Sequence, residues 1–201
     1  TREVEMIRKN LPNMLTLANL AMGVLAILVA SSTGKFSISQ PGEDINLVYY
    51  SCLCVMAAAM FDRFDGKLAR KLNVASELGK QLDSLCDLIS FGVAPAVIAW
   101  KLHFAYASLF LPFGRLAGFL LAVLFPIAGA IRLARFNLQE DATCFYGIPI
   151  TLAGSLLTLL NLLHTFLFLK GRFGLVNIVV CMVLMVALSF FMVSKIQVRK
   201  I

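Results

Sequence analysis

Four aspartates fall within one stretch, Asp62 to Asp87 (DRFDGKLARKLNVASELGKQLDSLCD), of a chain that is otherwise strongly apolar. Asp62 and Asp65 are spaced i,i+3 and Asp83 and Asp87 i,i+4, so on helices each pair projects from a single face. Two such pairs facing across an antiparallel helical hairpin make a box of hard oxygen ligands. With no Cys or His at the paired positions, that box suits Mg2+, Mn2+ or Ca2+ rather than zinc. Two divalent cations would balance four carboxylates charge for charge. Paired metals of this kind clamp the attacking and leaving oxygens of an in-line phosphoryl displacement, so a diphosphate is the cargo that fits.

The residues between the pairs agree with that cargo. Gly66 lies one turn beyond Asp62 and Ala69 one turn beyond Asp65, and neither has a side chain that would keep a diphosphate or nucleotide off the helix. Arg70 adds a forked cation for a phosphate or a neighbouring acid. Gly79, four residues before Asp83, allows a turn or a close approach. A lone DxxD is more often a charged loop or a salt-bridge network. The complete string is harder to explain that way, because an aspartate at membrane depth costs roughly 2.5 to 3.5 kcal/mol on insertion scales and clustered carboxylates also repel one another.

The elements that position this string are membrane spans. The chain has 201 residues, is 60% hydrophobic and carries a net charge of +7. Its mean hydropathy of +0.86 exceeds what a soluble globular domain shows. Apolar runs predict six spans, at Met14 to Ser32, Ile45 to Phe61, Gln81 to Trp100, Leu116 to Ile131, Ile148 to Leu169 and Gly174 to Ser194, each near the length needed to cross a bilayer. The fold class expected is therefore an all-α integral membrane bundle of six transmembrane helices, one domain over residues 1–201. Thirteen Lys and Arg fall on the side of the bundle that holds both termini and the aspartates, and five on the other. The positive-inside rule then puts the termini and the site in the cytoplasm.

The basic balance does not imply nucleic acid, since the cations flank spans and would meet anionic head groups, and no nucleic-acid motif appears. Residues 1–12 mix charges with Val4, Met6, Ile7 and Leu11, a pattern expected to lie along the interface or as a solvated tail. The first apolar run is too long for a cleaved signal to be the default reading. The five cysteines show no zinc or disulfide spacing and are expected to pack, and His103 and His164 fall on the non-cytoplasmic half. Thr33 to Asp44 is a polar excursion on that same side, and Gly114 and Gly118 form a GxxxG expected to bring two helices together within the bundle.

The pattern DxxDGxxAR, eight residues, GxxxDxxxD is matched without a gap by Asp62, Asp65, Gly66, Ala69, Arg70, Gly79, Asp83 and Asp87, and in this the chain resembles the CDP-alcohol phosphotransferases. The resemblance implies six-helix membrane enzymes, usually homodimeric. They use two divalent cations, Mg2+ or Mn2+, to transfer a phosphatidyl or similar group from a CDP-linked donor to an alcohol, with release of CMP. By that resemblance Asp62, Asp65, Asp83 and Asp87 ligate the metals and Asp87 also takes the proton of the incoming hydroxyl. Asn13, Thr16, Gly66, Ala69, Arg70, Ser76 and Gly79 would cradle the CDP moiety. SFGVAPA (Ser90 to Ala96), RLARFN (Arg132 to Asn137), GIP (Gly147 to Pro149) and MVSKI (Met192 to Ile196) are similar to segments of small Gram-positive phosphatidylserine synthases. That subfamily implies CDP-diacylglycerol as donor, L-serine as acceptor and the cell membrane as location.

For the acceptor, Arg132 and Arg135 are i,i+3 at the cytoplasmic end of the fourth span, where forked guanidinium groups suit a carboxylate, and Ser90 lies one turn beyond Asp87. Interfacial anchoring and helix capping are the competing readings of these three. Two other functions stay open at this stage: a sister transferase acting on glycerol 3-phosphate or an inositol phosphate, and a divalent-ion transporter with the aspartates as a permeation site. Conduction would give no role to Gly66, Ala69 and Arg70 at their spacings.

Overall fold

Long runs of Leu, Ala, Val and Ile without a charged break can satisfy their backbone polar groups in hydrocarbon only by closing them within helices. Six helices long and apolar enough to cross a membrane result. The computed structural model describes residues 2–32, 43–72, 76–104, 112–138, 144–194 and 197–199. Helix α1 is Arg2–Ser32, α2 is Glu43–Leu72 and α3 is Glu77–Phe104. They are followed by α4 at Gly114–Asn137, α5 at Ile150–Leu169 and α6 at Leu175–Val193. The six-span helical bundle expected from the apolar runs is thus the architecture observed.

Boundaries differ from the hydropathy reading at one end of the bundle. Helix α1 runs without interruption from Arg2 through Pro12 into the span, so residues 2–12, expected along the interface or as a solvated tail, are helical and continuous with it. Helix α2 continues past Phe61 to Leu72, and α4 reaches Asn137 rather than Ile131. In each case the extension is polar, and hydropathy marks only the part a helix buries in lipid. Of the polar excursion at Thr33 to Asp44, residues 33–42 lie outside those described, and α2 begins at Glu43. Outside the spans, Cys144–Tyr146 (β1) pairs antiparallel with Gln197–Arg199 (β2), with Phe145 opposite Val198, a short ribbon that an all-α reading did not anticipate.

Helix α3 carries most of the departures from regular geometry. Ser76 caps its start, with Oγ accepting the Gly79 N–H at 3.0 Å. Two π-helical stretches, Leu88–Val93 and Trp100–Phe104, widen it, and the Ala94 N–H reaches back to the Ile89 carbonyl. Pro95, just beyond the first wide stretch, supplies no N–H, and its carbonyl accepts from Asn161 Nδ2 of α5 at 3.1 Å. At the other end of α3, His103 Nε2 lies 2.6 Å from His164 Nδ1 of α5, and Phe173 stacks close to both rings. The two histidines form a buried hydrogen-bonded pair, far along α3 from its aspartates.

Small residues set how closely the helices approach. A Cβ at Gly23 of α1 would overlap Ser90, one at Gly118 would overlap Phe104, and one at Gly154 would overlap the Phe91 backbone. The GxxxG glycine Gly118 therefore serves a contact inside the bundle, between α4 and α3. Cys52, Cys86 and Cys181 are buried thiols without disulfide partners, as packing residues would be. Gly147 sits at φ 72° where a Cβ would lie 2.6 Å from the Met192 carbonyl, which accounts for the glycine of the GIP segment. Because the atom facing Gly154 is backbone and cannot move aside, Gly154→Val should destabilise the bundle by about 1–3 kcal/mol or more. Thermal unfolding in detergent should show a lowered midpoint for that variant. Gly66→Ala, with nothing within 4 Å of the added carbon, should match or exceed the parent.

Candidate active site

The polar extension of α2 and the first turns of α3 bring the aspartates together. Asp62, Asp83 and Asp87 each offer a carboxylate oxygen to one point, these atoms all lying within 4.8 Å of one another. Acceptor-only groups so close need a proton or a cation between them, and three hard oxygens converging from two helices fit a divalent ion of the Mg2+ or Mn2+ type. Asp87 and Asp65 are both buried, at 7% and 4% exposure, so bulk water does not screen the cluster on their side.

Asp65 stands slightly apart from the other three. Its Oδ2 accepts the Thr16 hydroxyl of α1 at 2.9 Å, and the same hydroxyl lies 3.1 Å from the Pro12 carbonyl. The expected box of four is therefore a group of three with the fourth carboxylate held against α1 by its outer oxygen.

Beside the carboxylates lies a cavity of about 280 Å³, walled by three helices. Helix α1 contributes Pro12, Asn13 and Thr16, and α2 contributes Asp62, Asp65 and Gly66. Helix α3 contributes Ser76, Gly79, Lys80 and Asp83. Five residues singled out for the donor, Asn13, Thr16, Gly66, Ser76 and Gly79, thus share one space. Two of them explain its shape. No atom comes within 4 Å of a Cβ placed on Gly66, so its face is open, while one on Gly79 would crowd Asn13 Oδ1 at 3.2 Å, so glycine there lets α1 and α3 close. The backbone is helical at Ala69 and Arg70, whose side chains lie outside the described residues. Lys80 was not anticipated as a site residue. Its place inside the aspartate string, three residues before Asp83, was the available signal.

A second cavity, of about 440 Å³, opens between α2 and α5 and shares Asp62 with the first. Arg63 joins Asp62 in its wall, α2 otherwise presents Val55, Met56 and Met60, and α5 mixes Leu152 and Leu159 with the hydroxyls of Thr151, Ser155 and Thr158.

The acceptor candidates separate. Ser90 is fully buried, and its hydroxyl donates to the Asn19 main-chain carbonyl at 3.1 Å, so it is a contact between α3 and α1 rather than a wall of either cavity. Arg135 Nη1 donates to the Val193 carbonyl at the end of α6, 2.9 Å away. That carbonyl has no helical partner of its own, which is why a cation settles there. Arg132 packs its guanidinium over the Phe136 ring, feels the Asp87 charge and leaves its Nε buried without a hydrogen-bond partner.

Two further polar residues escaped the sequence reading. Asn19 of α1 is fully buried and donates from Nδ2 to Asp87 Oδ1 at 3.4 Å. Asn137, at the end of α4, donates to Ser84 Oγ at 2.9 Å and so fastens α4 to the aspartate face of α3. The signal for Asn19 was a stripe, since Asn13, Thr16 and Asn19 recur every third residue along an apolar helix.

Comparison with known proteins agrees with this geometry. The model of the CDP-alcohol phosphatidyltransferase family matches residues 9–194. The chain is 38% identical over 165 residues to the CDP-diacylglycerol–serine O-phosphatidyltransferase of Helicobacter pylori (strain ATCC 700392 / 26695), covering 80% of this chain and 61% of that protein. It is 33% identical over 193 residues to the Bacillus subtilis (strain 168) protein of the same name, covering 93% of this chain and 88% of that one. It is also 30% identical over 192 residues to the archaetidylserine synthase of Methanothermobacter thermautotrophicus, covering 93% of this chain and 68% of that protein.

If Asp62, Asp83 and Asp87 hold a cation, then Asp62→Asn and Asp83→Asn should each weaken Mn2+ binding by at least about tenfold. Titration of free Mn2+ by electron paramagnetic resonance on the purified protein would measure this.

Proposed function

Because the chain belongs to the CDP-alcohol phosphatidyltransferase family, we propose that it transfers the phosphatidyl group of CDP-diacylglycerol to the hydroxyl of L-serine, releasing CMP. The observation that carries this reading is the juxtaposition of the Asp62, Asp83 and Asp87 oxygens with a polar cavity walled by Asn13, Thr16, Ser76 and Lys80. The serine assignment draws on relatives that bear the serine transferase name, one of them aligned over 93% of this chain. Family membership sets aside the ion-permeation reading.

In this proposal the CDP moiety occupies the cavity between α1, α2 and α3. Asn13 and Thr16 meet the base or sugar, Lys80 and Arg70 meet the diphosphate, and Gly66 and Ala69 leave it room. Diacylglycerol lies along the apolar cleft between α2 and α5 that shares Asp62. Divalent cations, two of the Mg2+ or Mn2+ class, supply charge neutralisation at the diphosphate when bound. Asp62, Asp83 and Asp87 would hold one of them, and Asp65 would serve the second. The serine hydroxyl oxygen attacks the phosphorus that bears diacylglycerol, its bond to the CMP oxygen breaks, and the hydroxyl proton passes to Asp87. No covalent enzyme intermediate is needed. Asp87 is a weak base for an alcohol, and proton transfer late in the step is sufficient.

Arg132 is the guanidinium left to bind the serine carboxylate, since Arg135 already bonds the Val193 carbonyl. One available guanidinium matches a monoanion better than a phosphate dianion, which favours serine over glycerol 3-phosphate or an inositol phosphate. As a multi-pass membrane protein the chain would sit in the cell membrane with this site facing the cytoplasm, on the Lys and Arg asymmetry, and would pair as a homodimer in keeping with the family.

CMP release by the purified protein in mixed micelles with CDP-diacylglycerol and Mn2+ should require L-serine and should stop with chelator. Asp87→Asn should lower the rate by about 10²–10⁴-fold. Release with a phosphorylated alcohol in place of serine would keep the family and overturn the acceptor.

A further inference from the structure

Among the described residues, three buried side-chain polar atoms lack a hydrogen-bond partner: Asn19 Oδ1, Arg132 Nε and Asn161 Oδ1. Unpaired buried polar atoms are costly, and they persist where a ligand brings the partner. Two of the three belong to residues near Asp87: Asn19 bonds it directly, and Arg132 lies within reach of its charge. They reach it from different helices, α1 and α4.

The orientation of Asn19 is fixed. Its Nδ2 faces Asp87 Oδ1 at 3.4 Å, which leaves its own Oδ1 buried and without a donor. Asn19 is fully buried, its own carbonyl is tied to Ser90 Oγ at 3.1 Å, and one turn further Gly23 lies hard against Ser90. The helix cannot slide to bring Oδ1 to solvent. Near Asp87 there is thus an acceptor atom without a donor, contributed by α1, and a donor atom without an acceptor, contributed by α4.

We infer that Asn19 Oδ1 and Arg132 Nε are the two poles of the acceptor subsite, the amide oxygen receiving an ammonium and the guanidinium a carboxylate, with the hydroxyl between them at Asp87. The inference rests on serine being the acceptor and deepens that reading, because it makes Asn19 the residue that selects a zwitterionic amino alcohol. A phosphorylated alcohol carries no cation. It would leave the amide oxygen unpaired and set further anionic oxygens near it, a penalty that excludes the wrong acceptor as much as it favours the right one.

The test uses the full chain in micelles with CDP-diacylglycerol and Mn2+. It compares the KM for L-serine with the inhibition constants of two competitors, glycerate, which lacks the ammonium, and ethanolamine, which lacks the carboxylate. Asn19→Leu should raise the serine KM roughly 10- to 100-fold, the range of a hydrogen bond to a charged group, while glycerate inhibition barely changes. Its kcat should fall less than its KM rises, and Mn2+ binding by electron paramagnetic resonance should persist. Arg132→Gln should weaken serine and glycerate and spare ethanolamine. Asn19→Ser, which keeps a hydroxyl oxygen, should recover part of the serine KM, and it carries the same comparison if the leucine variant does not fold. Equal losses for serine and glycerate in the Asn19 variants, or an unchanged KM with Mn2+ binding lost, would overturn the assignment of Asn19 while leaving serine as acceptor. A wild-type protein that releases CMP with glycerol 3-phosphate and not with serine would instead overturn the serine reading, and the Asn19 assignment with it.

Discussion

Mutual repulsion among carboxylates at the end of two membrane-spanning helices is the constraint around which the rest of this molecule is arranged. Asp62, Asp83 and Asp87 hold their oxygens within 4.8 Å of one another, a geometry that isolated helices would relax by moving apart. Packing resists that motion. Gly79 admits Asn13 closely, Gly23 seats Ser90, and Gly154 seats Phe91, so α1, α3 and α5 approach at distances that larger residues would forbid. Hydrogen bonds from Thr16 and Asn19 of α1 then hold the outer oxygens of Asp65 and Asp87. The neighbouring helices supply what the acidic pairs cannot supply for themselves, a fixed frame in which a cation is the missing piece.

Helix α1 accordingly has two duties on one face. Its outer turn, with Asn13 and Thr16, walls the polar cavity, and its next turn, with Asn19, meets Asp87 below. Helix α4 approaches from another side with Arg132, braced by Asn137 on Ser84 and by Arg135 on the end of α6. On the proposed reading α1 serves the donor through Asn13 and Thr16 and the acceptor through Asn19, α4 adds Arg132, and the two sets meet at the aspartates of α2 and α3. A one-step displacement needs such a division, since the incoming and departing groups must stand on opposite sides of the phosphorus.

Much of this was legible in the residues. Runs of apolar residues gave six spans, and the interrupted acidic string gave both the cluster and its small-residue surroundings. Asn13, Thr16, Gly66, Ser76 and Gly79, drawn from family resemblance, line one cavity with Asp62, Asp65 and Asp83. What escaped notice depends on tertiary contact. A lone Asn19 in a greasy helix looks like a packing residue until Asp87 appears beside it, and the direction of Ser90 follows from a helix that π turns widen at Leu88–Val93. Arg132 and Arg135 look equivalent at i,i+3 spacing, and only the free Val193 carbonyl at the end of α6 separates them. Hydropathy likewise could not follow α2 to Leu72, because the helix there leaves the lipid and turns polar.

The pairing of β1 with β2, together with the bond from Arg135 to Val193, gives the order of synthesis a consequence. Helices α1 to α3, which hold every aspartate of the cluster, emerge first from the ribosome. The Val193 carbonyl that holds Arg135 emerges only with the end of α6, and the strand that pairs with β1 only after it. At roughly 5–20 residues per second the interval lasts several seconds, during which Arg135 lacks its α6 partner while every aspartate of the cluster has already been made. A nascent chain of this design would gather its acidic cluster before the end of α4 is fastened to α6.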